Sequence, residues 1–218
     1  MTGHLKEFTD TLETHAARYR VQLGAQERAR LRDYYAHLLQ WNARLHLVAP
    51  CPPAEFATRH VLESLMASRY LPDSARVCDV GSGGGLPIIP CLIVRPDVRA
   101  VLVEATTKKA IYLREALRCL DLHDAAQVVA ERFEKIDAPP ADALTCRALE
   151  RFTEMYPRLV EWSPPASRLL FFGGPKLRES IEREESTGHL TQVRMPESEQ
   201  RFLFVIERAP TRRGESLL

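Results

Sequence analysis

The chain has 218 residues, 45% apolar and 27% charged, and its 30 Lys+Arg against 29 Asp+Glu leave a formal net charge of +1. That length suits one full-sized domain with a small helical extension, able to bury a core without disulfide staples. The near-neutral charge excludes a uniformly basic nucleic-acid-coating protein, no apolar run approaches the ~18 residues of a membrane span, and residues 1–10 lack the apolar core of a signal peptide.

Residues 1 to about 70 read as wholly helical. From Gln26 to about Leu45, the residues Leu31, Tyr35, Leu38 and Leu45 recur near one face, as an amphipathic helix requires. Pro50-Cys51-Pro52-Pro53 breaks this unit, because proline cannot continue a helix and restricts its predecessor. A second helical stretch runs from about Ala54 to Tyr70, with Phe56, Val61 and Leu65 as core candidates.

From residue 75 the pattern alternates. Apolar, β-rich runs stand at Arg76–Val80, Val98–Glu104, Ala126–Ala130, Ala143–Cys146 and Arg168–Phe172. Helical stretches separate several of them, most clearly Thr107–Leu120, where Ile111, Leu113, Leu117 and Leu120 are expected to face inward. Unbroken apolar strands alternating with helices indicate a parallel sheet covered on both faces. The last runs, Gln192–Arg194 and Arg201–Glu207, have no helix between them and predict an antiparallel pair at the sheet edge. The expected fold is α/β: a doubly wound, mostly parallel sheet (73–218) with an antiparallel edge strand, under a helical N-terminal cap (1–72). Cys51, Cys78, Cys91, Cys119 and Cys146 are scattered, odd in number and without a C-x-x-C pair, which points away from disulfides and zinc and toward a reducing cytoplasm.

The most informative stretch is Val77-Cys78-Asp79-Val80-Gly81-Ser82-Gly83-Gly84-Gly85-Leu86-Pro87, at the turn from the first strand into a helix. Glycines there permit positive φ and close approach of a ligand to the main chain. A dinucleotide fingerprint starting at Gly81 would need glycine where Leu86 stands, and a P-loop would need a lysine that is absent. What fits is D-x-G-x-G-x-G, carried by Asp79, Gly81, Gly83 and Gly85, which resembles motif I of class I S-adenosyl-L-methionine-dependent methyltransferases. Glu104 ends the second strand, where a carboxylate can accept both hydroxyls of a ribose.

The segment from Asp79 to Pro90 further resembles the DVGSGxGLPGIP segment of the RsmG (GidB) family, bacterial methyltransferases that modify guanine N7 in small-subunit (16S) ribosomal RNA. Trp41-Asn42 with Leu45 and Leu47, Arg59-His60 through Leu65, Lys108-Lys109 with Leu113-Arg114, Glu131 to Glu134, and Cys146-Arg147-Ala148 match other family segments in order and spacing. The resemblance implies that Gly81 and Leu86 touch the cofactor, that Phe133 and Glu134 flank the adenine, and that Arg147 completes the pocket. Departures are His46 for asparagine, Val48 for threonine, Ile88 for a second glycine, and Gly173 for a lysine that Lys176 could replace.

Guanine N7 carries an available lone pair at neutral pH, so methyl transfer to it needs positioning and charge stabilisation but no general base. No catalytic base is assigned; His60 is read as a buried, hydrogen-bonded structural residue. N7 lies on the major-groove edge, out of reach in A-form RNA, so the target must sit in a loop or be flipped out. Arg18, Arg20, Arg28, Arg30 and Arg32 form one candidate phosphate-contact face, equally readable as a solvated helix face, and Lys108 with Lys109 a second. The expected partner is 16S ribosomal RNA or the small ribosomal subunit, with no membrane and no metal, for a cytoplasmic monomer. Two alternatives remain. A small-molecule methyltransferase on the same scaffold would suit the near-neutral charge and Gly173. A non-catalytic cofactor-binding, ribosome-associated protein is opposed by the intact Asp79, Glu104 and Arg147.

Overall fold

The computed structural model describes residues 2–147, 149, 151–165, 167–184 and 188–208. Its N-terminal layer is helical. Helix α1 (Thr2–His15) leads through a 3₁₀ turn (Ala16–Tyr19) to α2 (Ala25–Leu45). At the start of α2 the Glu27 carboxylate accepts from the amide of Gly24, satisfying a donor the helix cannot, and it also suits the positive end of the helix dipole. At its end His46 takes the left-handed conformation (φ 48°), and its amide returns to the carbonyl of Asn42 at 3.0 Å. Asparagine tolerates that conformation well and histidine is among the few other side chains that do, so the departure at His46 preserves the turn. Phe8 stacks on Tyr35 (centroids 4.5 Å apart) and Tyr35 packs on Phe56 (4.6 Å), which joins α1, α2 and the next helical run.

That run covers residues 53–70 and is not uniform. It comprises α3 (Pro53–Glu55), a π-helical stretch (Phe56–Leu62), α4 (Glu63–Met66) and a 3₁₀ turn (Ala67–Tyr70). Side-chain donors enter the hydrogen-bond ladder of the π stretch: Arg147 donates to the carbonyls of Arg59 (2.5 Å) and His60 (3.3 Å), and Ser64 Oγ also donates to His60. Such intrusion is a physical cause of a locally widened helix.

The sheet has seven strands: β1 (Arg76–Val80), β2 (Arg99–Val103), β3 (Ala126–Val129), β4 (Ala143–Cys146), β5 (Arg168–Gly173), β6 (His189–Arg194) and β7 (Phe202–Glu207). Their order is β3-β2-β1-β4-β5-β7-β6, parallel through β5, with β7 antiparallel to both β5 and β6. The doubly wound fold with an antiparallel edge is thus as expected. Strand ends differ from the sequence reading mainly at β6, which starts at His189 because an edge strand, half solvated, need not be apolar. Helices α5 (Ile88–Val94), α6 (Thr107–Cys119), α7 (Phe152–Trp162) and α8 (Pro175–Arg183) cover the faces.

One residue expected to face inward faces solvent. Ile111 is 47% exposed, whereas Leu113, Leu117 and Leu120 are buried. On a helix that turns about 100° per residue, Ile111 points opposite the middle of the arc formed by the buried Ala110, Tyr112, Leu113, Ala116 and Leu117. One apolar cluster runs from Phe8, Leu31 and Val61 through Val77, Ile89 and Leu170, so the helical layer and that face of the sheet share a core. The opposite face holds a second cluster around Cys78, Leu144 and Phe171.

Candidate active site

The glycine turn is shaped by hydrogen bonds on all sides. After β1 the amide of Gly81 (φ 71°) donates to Val103 O at 2.9 Å, which ties the turn to the end of β2. The amide of Gly83 (φ 51°) donates to Glu104 Oε2 at 2.9 Å, and the amide of Thr106 donates to Glu104 Oε1 at 2.8 Å. Each carboxylate oxygen keeps a further lone pair for a ligand hydroxyl. The carbonyl of Gly84 accepts from the phenols of Tyr34 (2.7 Å) and Tyr112 (3.1 Å), both fully buried. At Gly83 a side chain would meet nothing nearer than Gly81 O at 3.7 Å, so this turn leaves open space where a ligand approaches.

Above the turn lies a cleft of about 620 Å³, within the size range of small-molecule and cofactor sites. Gly81, Gly83, Leu86, Glu104, Phe133, Glu134 and Arg147 all line it. Asp79 and Gly85 do not. Asp79 lies under the turn, 1% exposed, with Thr145 Oγ1 donating to its Oδ1 at 2.6 Å. Burial pushes its carboxyl up to about 7. Gly85 (φ 87°) serves the turn itself, since a Cβ there would stand 2.4 Å from Ile89 Cδ1. Phe133 packs edge-on against Trp162 (5.4 Å), which fixes its ring in the cleft wall, and Glu134 accepts from Arg132 at 3.2 Å.

The sequence reading missed the opposite wall. Leu47, Val48 and Ala49, just beyond α2, line the cleft, and a Cβ on Gly84 would lie 3.6 Å from that of Leu47. The amide side chain of Asn42 holds this segment, donating to Val48 O (3.1 Å) and accepting from Val48 N (3.0 Å). Only backbone groups of Val48 take part, so valine serves there as well as threonine. The signal was present in Trp41-Asn42 with Leu47, which matched a family segment without suggesting a place in the site.

Arg147 lines the cleft, but its donors are engaged elsewhere: Ser64 Oγ (2.9 Å), the carbonyls of Arg59 and His60, and Glu63 Oε2 (3.4 Å). Its guanidinium also lies 5.3 Å from the ring centre of Phe172. Glu63, 2% exposed, accepts from Arg201 through Oε1 at 2.8 and 2.9 Å. Arg147 is therefore a fixed cation that joins the end of β4 to the helical layer. His60 lines the cleft too, and its Nδ1 is buried with no partner among the described residues, unlike the hydrogen-bonded residue expected. Burial, then the guanidiniums of Arg147, Arg59 and Arg201, lower its pKa to about 3, so the imidazole is neutral near pH 7.

The N-terminal arginines are largely committed within the chain. Arg18 faces Glu197 (3.7 Å), Arg28 faces Glu13 (3.7 Å), Arg32 faces Asp33 (2.8 Å), and Arg30 donates to Leu120 O (2.8 Å). At Gly173, where the family pattern has lysine, a Cβ would lie 2.5 Å from Leu177 Cδ2, so Leu177 occupies that space here. Ile88 is wholly buried and does not reach the cleft. Ala148, of the Cys146-Arg147-Ala148 match, lies outside the described residues. Among the described residues no helix is long and apolar enough to cross a membrane, and no group of three or more His, Cys, Asp and Glu could hold a metal ion.

Residues 27–201 match the family model described as rRNA small subunit methyltransferase G. A Ribosomal RNA small subunit methyltransferase G from Gluconobacter oxydans is 33% identical over 171 residues, 77% of this chain and 85% of that protein. Its counterpart in Xanthomonas euvesicatoria is 45% identical over 129 residues, 59% of this chain, and the match spans only 60% of that relative. Among solved structures, an RNA methyltransferase from Salinibacter ruber in complex with S-adenosyl-L-homocysteine aligns with a TM-score of 0.54 at 16% identity, covering 78% of this chain and 99% of that one. An O-methyltransferase from Bacillus cereus in complex with the same compound gives 0.55 at 17%, covering 80% and 90%. At such identities these two establish the fold alone.

Proposed function

The chain belongs to the rRNA small subunit methyltransferase G family, and from that membership we propose that it methylates guanine N7 in small-subunit (16S) ribosomal RNA with S-adenosyl-L-methionine as methyl donor. The observation that carries the reading is the contact between the Gly83 amide and Glu104 Oε2, on the floor of an open cleft at the carboxyl ends of the strands. Ligands of doubly wound sheets bind at that end, where the strand order reverses between β1 and β4.

The residues present fit the donor. Gly81 and Gly83 bring the main chain close to it, Glu104 retains lone pairs for ribose hydroxyls, and Leu86, Phe133 and Glu134 offer apolar and polar surface for an adenine. Asp79 and Gly85 support the turn from behind. When bound, S-adenosyl-L-methionine supplies an electrophilic methyl group on a sulfonium. The chain's part is to align the acceptor in the cleft and to keep water out, for which the Leu47–Ala49 wall is placed. His60, neutral and flanked by arginines, is not needed as a base, because N7 is already unprotonated.

A helical cap (1–72) over a methyltransferase domain (73–218), acting as a cytoplasmic monomer, completes the reading. Family membership favours it over the small-molecule and non-catalytic alternatives. Incubation with labelled donor and unmodified small-subunit rRNA, followed by nucleoside analysis, is expected to yield 7-methylguanine. Label appearing only in small molecules, or in another nucleoside, would refute it.

A further inference from the structure

Helices α2 and α6 run antiparallel. Arg30, early in α2, donates to the carbonyl of Leu120 just past α6 at 2.8 Å. His37 and Trp41, further along α2, both pack on Tyr112, with ring centres 5.6 and 5.9 Å apart. Continuing that register brings the last turn of α2, with Arg44, alongside the first turn of α6, with Lys108 and Lys109. This shared end lies at the cleft, because Leu47 and Lys109 both line it.

These three cations differ from the N-terminal arginines. Arg44 and Lys108 are exposed and Lys109 is half-buried, and among the described residues none has a carboxylate within ion-pair distance. Arg18, Arg28 and Arg32 each face one. Glu104, which adjoins the start of α6, is buried with both oxygens held by main-chain amides, so it leaves the three cations unpaired. A cation already paired gains little from an incoming phosphate, whereas a solvated one releases condensed counterions when it meets a polyanion. We propose that Arg44, Lys108 and Lys109 form the rim that grips the phosphodiester backbone beside the target guanine, and that the paired Arg18, Arg28 and Arg32 take no part. The strand crosses the shared end of α2 and α6 while the extruded base enters the cleft next to Leu47. This rests on the RNA substrate proposed above.

The test uses the full chain as wild type, as Arg44→Gln/Lys108→Gln, as that pair with Lys109→Gln added, and as Arg18→Gln/Arg32→Gln. Affinity for an unmodified small-subunit rRNA transcript is measured from about 50 to 200 mM salt, where phosphate contacts dominate the change. Each lost contact is expected to flatten the slope of log K against log salt by about 0.7 to 0.9. The first pair should therefore flatten it by nearly two such steps and weaken binding more than tenfold at low salt. Its affinity for S-adenosyl-L-homocysteine should stay at the wild-type value, since neither side chain lines the cleft, and this also verifies the fold. The Arg18/Arg32 pair should keep the wild-type slope. Unchanged slopes in the rim variants, or an equal loss in the Arg18/Arg32 pair, overturn the inference alone. A wild-type chain without rRNA affinity overturns the substrate reading and the inference with it.

Discussion

The phenols of Tyr34 and Tyr112 donate to one acceptor, the carbonyl of Gly84, at 2.7 and 3.1 Å. Tyr34 comes from α2 and Tyr112 from α6, so the cap and the sheet-covering layer meet on a single peptide of the glycine turn. Either Tyr→Phe change leaves one donor and should cost about 1 kcal/mol. The double variant leaves a buried carbonyl unsatisfied and should cost more than the sum, by roughly 1 kcal/mol or more. Urea unfolding of the four proteins measures this coupling; simple additivity would mean that another donor takes the carbonyl.

Gly83 and Gly85 should fail differently. A valine at Gly83 has room but must adopt φ near +51° and fills the approach to the turn, so Gly83→Val should lose S-adenosyl-L-homocysteine affinity by more than a hundredfold while remaining folded. Gly85→Ala collides with Ile89 in the core and should lower the melting temperature first. Titration calorimetry and thermal unfolding separate the two. A Gly83→Val protein with wild-type affinity would show that the ligand does not pass over this turn.

Asp79 makes stability depend on pH. Its carboxyl is raised from 3.8 to about 7 by burial, so between those values the native state holds a proton that the unfolded chain has released. The contribution of Asp79 to stability is therefore greatest below about pH 4, falls as pH rises, and levels off above pH 7, a loss on the order of a few kcal/mol. Asp79→Asn removes this slope. The difference between wild-type and variant urea midpoints should shrink from pH 4 to 7, or reverse; a constant difference would mean that Asp79 is ionised throughout.

Glu63 stands between two guanidiniums, of Arg147 and Arg201, and is almost wholly buried. Glu63→Gln keeps the shape but removes the counter-charge, and should destabilise the protein by about 3–5 kcal/mol. If Arg147 owes its place in the cleft wall to this contact, cofactor affinity of the folded fraction should fall as well. Full stability in the variant would show that the carbonyls of Arg59 and His60 suffice.

His60 should be silent in the pH profile. With its pKa at about 3, the ring neither gains nor loses a proton between pH 5.5 and 8. The rate with rRNA should show no inflection in that range that disappears on His60→Gln. An inflection near 6.5 removed by that change would instead place a titrating imidazole in the reaction.

Much of this could be read from the chain. Alternating apolar strands and helices marked the mostly parallel sheet, and glycines spaced around Asp79 with Glu104 one strand later marked the cleft, because these are local constraints of period and φ. Ile111 is apolar yet faces solvent, because burial on a helix follows angular position and not apolar character alone. The cleft wall at Leu47–Ala49 was missed because its position depends on Asn42 and on packing against Gly84.

The order of residues determined the element types, the left-handed glycine positions and the acid at the end of β2, since each is dictated by neighbours a few bonds away. Only the tertiary structure decided that Asp79 lies beneath the turn rather than in the cleft. It likewise turned Arg147 toward Glu63 and Ser64, and left Arg44, Lys108 and Lys109 without an ion-pair partner among the described residues at the mouth. Those outcomes depend on which distant side chains arrive within a few ångströms, and burial and charge pairing act only once the chain has closed.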